Sequence, residues 1–372
     1  MFKTESFFSD QYVENLIGLS SFQGNGKYTK IAENKLEALV GAPKAFLTPS
    51  CTAALEMAAL VIGIQPGDEV IVPSYTFVTS ASAFVMHGAT IKYVDVCRED
   101  FNVSYASVVE AISSKTKAVV YVDYAGTARD LDRIADLCRQ KGIFLIEDAA
   151  QSIGASYGGK MLGSFGDLAT FSFHETKNIH CGEGGALIVN NRALVEKAVV
   201  VRDKGTNRES YTLGEISKYQ WIDLGSSFLI SEFQSVILSH QLDFVHIESK
   251  KRKDIYDMYF SKLENLEKRG KLARQKISNA VKTNGHLFFI LLNKSTERSF
   301  IISLLQQRKI YATAHYEPLH TSVYGMQYYD NQSLVETNEH SSQLLRLPIS
   351  SKMVEEDVDF VVSALEEVLV EG

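Results

Sequence analysis

The stretch FSFHETKNIHCGEGGALIV, residues 171–189, sets a single lysine, Lys177, in a short polar turn between two apolar, strand-like runs. Ser172 stands five residues before that lysine and a glycine-rich segment follows it. Upstream, IFLIEDAAQS (residues 143–152) reads as a buried-type strand that ends abruptly in carboxylates, Glu147 and Asp148, with Gln151 at its exit. Strand ends that deliver a carboxylate and a lysine predict an α/β protein whose chemistry lies beyond the carboxyl edge of a sheet.

The surrounding sequence carries the same alternation. KAFLTPS (44–50) is a short strand and turn, and CTAALEMAALVIGI (51–64) has apolar residues at helical spacing. DEVIVPS, TIKYVDV, TKAVVYVDY and IFLIEDA read as further strands, separated by the helical runs SASAFVMHG, SVVEAISS and LDRIADLCRQKG. Gly142 closes the last of these helices. Strands alternating with helices imply a mainly parallel sheet covered on both faces.

After Leu229 the texture changes. A long helical segment follows, and its charge run Lys250 to Lys253 reads as a solvated helix face. Beyond it lie GHLFFILLN (strand), ERSFIISLLQQRKI (helix), YATAHYEPLH (strand and loop) and VEEDVDFVVSALEEVLV (helix). The expected division is a large domain over residues 1–245 and a smaller α+β domain over 246–372.

Lysine and aspartate at such strand ends suggest a site for pyridoxal 5′-phosphate (PLP), which needs four things from its protein. It needs an anion cradle, an acid for the ring nitrogen, a wall for the ring face and a lysine to carry it. Ser50, Cys51 and Thr52, with Ala53, stand where a strand gives way to a helix, so free backbone N–H groups and the helix dipole favour a phosphate. Ser172 offers one more hydroxyl. Asp148 is the candidate for the ring nitrogen, with Glu147 as competitor, and Gln151 can bond the ring oxygen. Phe77 is the candidate wall, with Tyr75 as alternative. Lys177 is the catalytic residue, and its freed amine can move a proton.

Composition bounds the remaining possibilities. The 372 residues are 45% hydrophobic and 22% charged, enough for two domains around a large core. A net charge of −7 argues against binding driven by nucleic-acid phosphates. The four cysteines form no C-x-x-C pair, so no metal site is expected, and reduced thiols point to a cytoplasmic protein. MFKTESFFSDQYVENL lacks the apolar core of a secretion signal, and no stretch is long and apolar enough to span a bilayer.

These residues resemble the DegT/DnrJ/EryC1/StrS family of sugar aminotransferases, through TPSCTAALEMAAL, QPGDEVIVPSYTFVTSASAF, YVDV, EDAAQS, FSFHETKN, GEGGALI and HYEPLH. The resemblance implies PLP-dependent fold type I, like aspartate aminotransferase, with a mainly parallel seven-stranded sheet. It implies a homodimer with shared active sites, L-glutamate as amino donor and a ping-pong cycle. VRDKGTNR, KYQWIDLGSSFLISEFQS and LLRLP resemble the branch acting on dTDP-4-dehydro-6-deoxy-D-glucose. That branch yields dTDP-4-amino-4,6-dideoxy-D-galactose, a precursor of surface-polysaccharide sugars. The resemblance assigns His174, Lys204, Arg208, His315 and His320 to the dTDP-linked keto-deoxy sugar. Ser227 stands where many members place an asparagine that reaches the neighbouring subunit's cofactor phosphate. His180-Cys181 stands where relatives carry small residues.

Rival readings are amination at C3 of a 3-keto sugar, a non-catalytic PLP- or nucleotide-binding regulator, and a nicotinamide-binding protein. A branch that replaces the lysine with histidine is opposed by Lys177. No DNA-binding helix-turn-helix flanks the core, which disfavours the regulator, and no G-x-G-x-x-G opens a helix after the first strand.

Overall fold

The computed structural model describes residues 10–19 and 21–371, so the first nine residues of the amino-terminal stretch read for a secretion signal lie outside the described residues. Seven strands build the large sheet: β1 (Lys44–Thr48), β2 (Glu69–Pro73), β3 (Thr90–Val94), β4 (Thr116–Val122), β5 (Phe144–Asp148), β6 (Leu168–Ser172) and β7 (Gly185–Val189). Their order across the sheet is β1-β7-β6-β5-β4-β2-β3. The pairs β2/β3, β2/β4, β4/β5 and β5/β6 are parallel, while β6/β7 and β1/β7 are antiparallel. This is the mainly parallel, seven-stranded sheet that the resemblance implies.

Local sequence explains the elements. Every residue of β6 and β7 is buried, so both read as continuous apolar runs rather than alternating ones. Helix α1 (Cys51–Val61) starts where Ser50, in extended conformation, accepts a hydrogen bond from the Ala53 N–H. Its Ala54, Leu55 and Ala58 pack on Val70, Val72 and Val120 of the sheet. Helix α2 (Leu131–Lys141) ends at Gly142, whose φ of 67° is left-handed, as its position at the end of the amphipathic run predicts.

The chain then leaves this layer. The helical segment after Leu229 is not one helix. Glu232–Gln241 passes through a tighter turn at Leu242–Phe244 into α3 (Val245–Lys262). The boundary expected at residue 245 meets the first residue of α3. A second sheet follows, β8 (Leu272–Arg274), β9 (Phe288–Leu292) and β10 (Leu344–Leu347), all antiparallel, in the order β8-β9-β10. Helix α4 (Arg298–Gln307) and the terminal helix α5 (Glu355–Glu371) share its core.

Two expectations are corrected here. YATAHYEPLH forms no strand; one isolated bridge, Thr313 to Arg346, is its whole ladder. Side chains hold it instead, with the Tyr75 hydroxyl donating to the His315 carbonyl at 2.8 Å. The charge run is solvated at Lys250, Lys251 and Lys253, but Arg252 turns inward, donating to the carbonyls of His286 (3.4 Å) and Ile349 (3.3 Å). No helix among the described residues is long and apolar enough to cross a membrane.

Candidate active site

At the carboxyl edge of the large sheet lies a cleft of about 560 Å³. It gathers Ser50, Cys51, Thr52, Phe77, Asp148 and Gln151 from loops that leave β1, β2 and β5. Ser172, His174 and Lys177 join them from the turn after β6, and His315 from the small-domain side.

Strand alternation separates the two neighbouring carboxylates. Glu147 faces away from the cleft and accepts from the N–H groups of Gly163 (2.5 Å), Phe165 (2.9 Å) and Gly166 (3.2 Å), so it ties a loop to the sheet. Asp148 faces the cleft. Its Oδ2 accepts from Ser80 Oγ at 2.6 Å and its Oδ1 from the Ala150 N–H at 3.3 Å. Burial pushes the Asp148 carboxyl up, while Ser80, Ala150 and the Lys177 charge pull it back. Burial pushes the Lys177 ammonium down, opposed by Cys51 and Asp148. A buried amine that sheds its proton readily is a nucleophile, and beside a carboxylate it is also a proton carrier.

The residues fit PLP. At Gly185 a Cβ would fall 2.4 Å from the Cys51 N and 2.4 Å from the Ser50 carbonyl carbon. Only glycine lets β7 pass that close to the start of α1, whose first N–H groups have no intrahelical partner. Ser50 also caps α1, so its hydroxyl serves the helix as well as the cleft. The Phe77 ring is 54% exposed and lines the cleft, whereas Tyr75 is buried against Phe101, Tyr124 and Tyr316. Gln151 is held at both ends, its Oε1 accepting from the Ala125 N–H (2.7 Å) and its Nε2 donating to the Tyr316 hydroxyl (3.1 Å).

The candidate sugar contacts divide. His174 borders the cleft and accepts from the Thr176 N–H at 3.2 Å. His315 lines the cleft with its ring stacked on Tyr316 at 4.3 Å. Its Nε2 accepts from Arg346 Nη1, so Nδ1 carries the proton and donates to the Tyr124 hydroxyl at 3.0 Å. Burial, then Arg346, then Lys177 drive His315 down to about 2. The expectation for His320 is corrected. It is buried, with Nδ1 paired to Ser74 Oγ (2.6 Å) and Nε2 to Asn338 Oδ1 (2.9 Å), and it does not reach the cleft. Lys204, Arg208 and Ser227 are exposed and do not line the cleft. Lys204 pairs with Asp203 at 2.7 Å.

Several cleft residues escaped the sequence reading, and those facing the strand ends from the small-domain side include Arg346, His286 and Tyr316. Arg346 comes from β10 and His286 from the approach to β9, both distant in sequence from the lysine, and Tyr316 sits beside His315 in HYEPLH. The Asn178 Nδ2 donates to the Asn284 carbonyl (3.2 Å), which aims its Oδ1 at His286 Nδ1 (3.0 Å) and makes that nitrogen the donor. Burial holds His286 well below the ordinary histidine range, hence neutral. Asn178, next to Lys177, is the one available signal. Cys181 lies buried under the glycine-rich turn, its thiol donating to the Glu183 carbonyl at 3.3 Å. No cluster of three metal-ligating side chains occurs among the described residues.

The DegT/DnrJ/EryC1/StrS aminotransferase family model matches residues 6–366. The uncharacterized protein MJ1066 of Methanocaldococcus jannaschii is 33% identical over 346 residues, which are 90% of this chain and 88% of that one. Spr1654 from Streptococcus pneumoniae, solved in its PMP form, superposes with a TM-score of 0.89 at 25% identity, covering 98% of each chain. DesV of S. venezuelae superposes with a TM-score of 0.87 at 27% identity, over 97% of this chain and 94% of that one. The family model spans nearly the whole chain, and the chain therefore belongs to the DegT/DnrJ/EryC1/StrS aminotransferase family, PLP-dependent sugar aminotransferases that use a glutamate donor and a sugar-nucleotide acceptor.

Proposed function

We propose that this chain moves the amino group of L-glutamate to C4 of dTDP-4-dehydro-6-deoxy-D-glucose, forming dTDP-4-amino-4,6-dideoxy-D-galactose. The observation that carries a transaminase is the half-buried, proton-shedding Lys177 in one cleft with the buried Asp148, whose charge opposes that shift. The 4-keto substrate is supported by VRDKGTNR, GSSF and LLRLP, which resemble the branch with that activity.

When bound, PLP supplies an electron sink for charge developing at the amino carbon. The chain does the rest. The first N–H groups of α1, with Ser50, Thr52 and Ser172, hold the phosphate. Asp148 holds a proton at the ring nitrogen, and Ser80 fixes the carboxylate's orientation. Phe77 covers one ring face, and Gln151 bonds the ring oxygen. The Lys177 amine would take up a proton from the amino carbon and hold it for return. His174 and His315 contact the sugar nucleotide from the rim.

Lys204, Arg208 and Ser227 act in a second way. Their exposure away from the cleft, beside the exposed Trp221 and Leu224, supports a homodimer in which they face the neighbouring subunit's site. There Ser227 donates to the cofactor phosphate, and the two cations meet the nucleotide diphosphate.

The test is product identification. Holoenzyme, L-glutamate and either the 3-keto or the 4-keto dTDP sugar are incubated and the product is read by NMR. The expected product carries an axial amine at C4. An amine at C3, or turnover of the 3-keto sugar alone, overturns the substrate assignment.

A further inference from the structure

A second cavity of about 210 Å³ adjoins the cleft, sharing Thr176, His286 and Arg346 with it. Its far wall is Arg252, the residue that turns inward from the charge run. Two guanidinium groups therefore border one small chamber.

Their bonding leaves them short of anions. Arg252 spends Nη1 on two backbone carbonyls, and Arg346 spends Nη1 on His315 Nε2. Each Nε is enclosed without a partner. Neither group makes an ion pair with a carboxylate among the described residues. Burial lowers Arg252 to about 10; Glu248 is the acid that offsets this, and Arg346 adds to it. His286, between them, is neutral and cancels nothing. Two poorly compensated, partly desolvated cations at one cavity call for an anion, and a guanidinium's free edge matches a planar carboxylate.

We infer that this chamber is the subsite for the distal carboxylate of the dicarboxylate amino donor, held by Arg252 with Arg346 at the entrance. The inference rests on the aminotransferase reading. The chamber is too small for a nucleotide and shares Thr176, His286 and Arg346 with the cleft that holds the lysine at which the donor's amino group must react. Two methylenes separate a donor's reacting carbon from its distal carboxylate, so the arginines select for side-chain length and charge together. A monocarboxylate donor gains nothing from Arg252.

Absorbance changes follow the donor half-reaction when PLP-loaded enzyme is mixed with L-glutamate or L-alanine. Arg252→Gln is expected to lower the second-order rate constant for glutamate about 10- to 100-fold, the loss of one charge-assisted hydrogen bond or a pair. The value for alanine, and the KM for the sugar nucleotide, stay near wild type. Equal losses for both amino acids, or a loss confined to the sugar nucleotide, overturn the inference. Arg252→Lys keeps the charge without the fork and is expected to fall between. Thermal shift supplies a reading without turnover. Glutarate, a dicarboxylate lacking an amine, raises the Tm of wild-type holoenzyme while butyrate does not; no glutarate shift in wild type also sinks the subsite. If neither amino acid alters the wild-type spectrum, the aminotransferase reading fails, and the glutarate comparison still judges the chamber.

Discussion

The cleft has two walls of different construction. One is made by strand ends of the large sheet, where Asp148 is the last residue of β5 and Lys177 sits a short turn beyond the fully buried β6. The other is made by Arg346 on β10, His286 on the approach to β9, and His315 and Tyr316 on a segment whose only ladder contact is one isolated bridge. The first wall keeps ionisable groups few and lightly bonded, so that they exchange protons. The second locks its groups: each histidine has its proton assigned by a neighbour, Asn178 in one case and Arg346 in the other. A catalytic wall and a shaping wall thus differ in how many bonds constrain each side chain.

The largest effect belongs to the first wall. Lys177→Ala is expected to cost about 10²–10⁴-fold or more in transamination, with the far-ultraviolet spectrum unchanged. Retained turnover would mean that another amine does the work. Next come the paired carboxylates. Asp148→Asn is expected to lower turnover about 10²-fold or more, because the neutral amide no longer favours a protonated ring nitrogen. Glu147→Gln leaves turnover in place and costs about 1–3 kcal/mol of stability in urea unfolding, since three loop N–H groups lose a charged acceptor. The opposite pattern would reverse the assignment of the two sheet faces.

The second wall shows itself in pH dependence. His315 is held at about 2 when folded, below its unfolded value near 6.5. The unfolded chain therefore binds a proton that the folded chain refuses as pH drops below about 6.5, and stability is lost in that direction. This residue alone contributes a slope of up to about 1.4 kcal/mol per pH unit. His315→Gln should flatten the fall in urea midpoint between pH 7 and pH 5. An unchanged slope would show that His315 titrates freely. The smallest effect is expected at Ser80. Ser80→Ala removes one hydrogen bond to Asp148 and should lower turnover about 5- to 10-fold, the loss of roughly 1–1.5 kcal/mol.

Most of the first wall was legible in the sequence. β5 and β6 announce themselves as apolar runs, and a charged residue at the end of such a run has nowhere to go but the strand terminus. Of the two adjacent acids, only alternation in the sheet says which one faces the cleft. The second wall was far less legible. Arg252 sits in KKRK, where periodicity gives a polar face, and only the carbonyls of His286 and Ile349 draw it inward. His320 failed in the opposite sense. It shares HYEPLH with His315, yet its ring is consumed by Ser74 and Asn338.

The amino-acid sequence alone settled the alternation of strands and helices, the lysine and the carboxylate at the strand ends, and the helix start between them. Those features are local, because burial of a strand and capping of a helix depend on residues a few positions apart. The tertiary structure alone decided which side of β5 is wet, which histidine reaches the cleft, and that Arg252 and Arg346 border one chamber. Such contacts join residues about a hundred positions apart, where no periodicity reaches and only packing brings charges together.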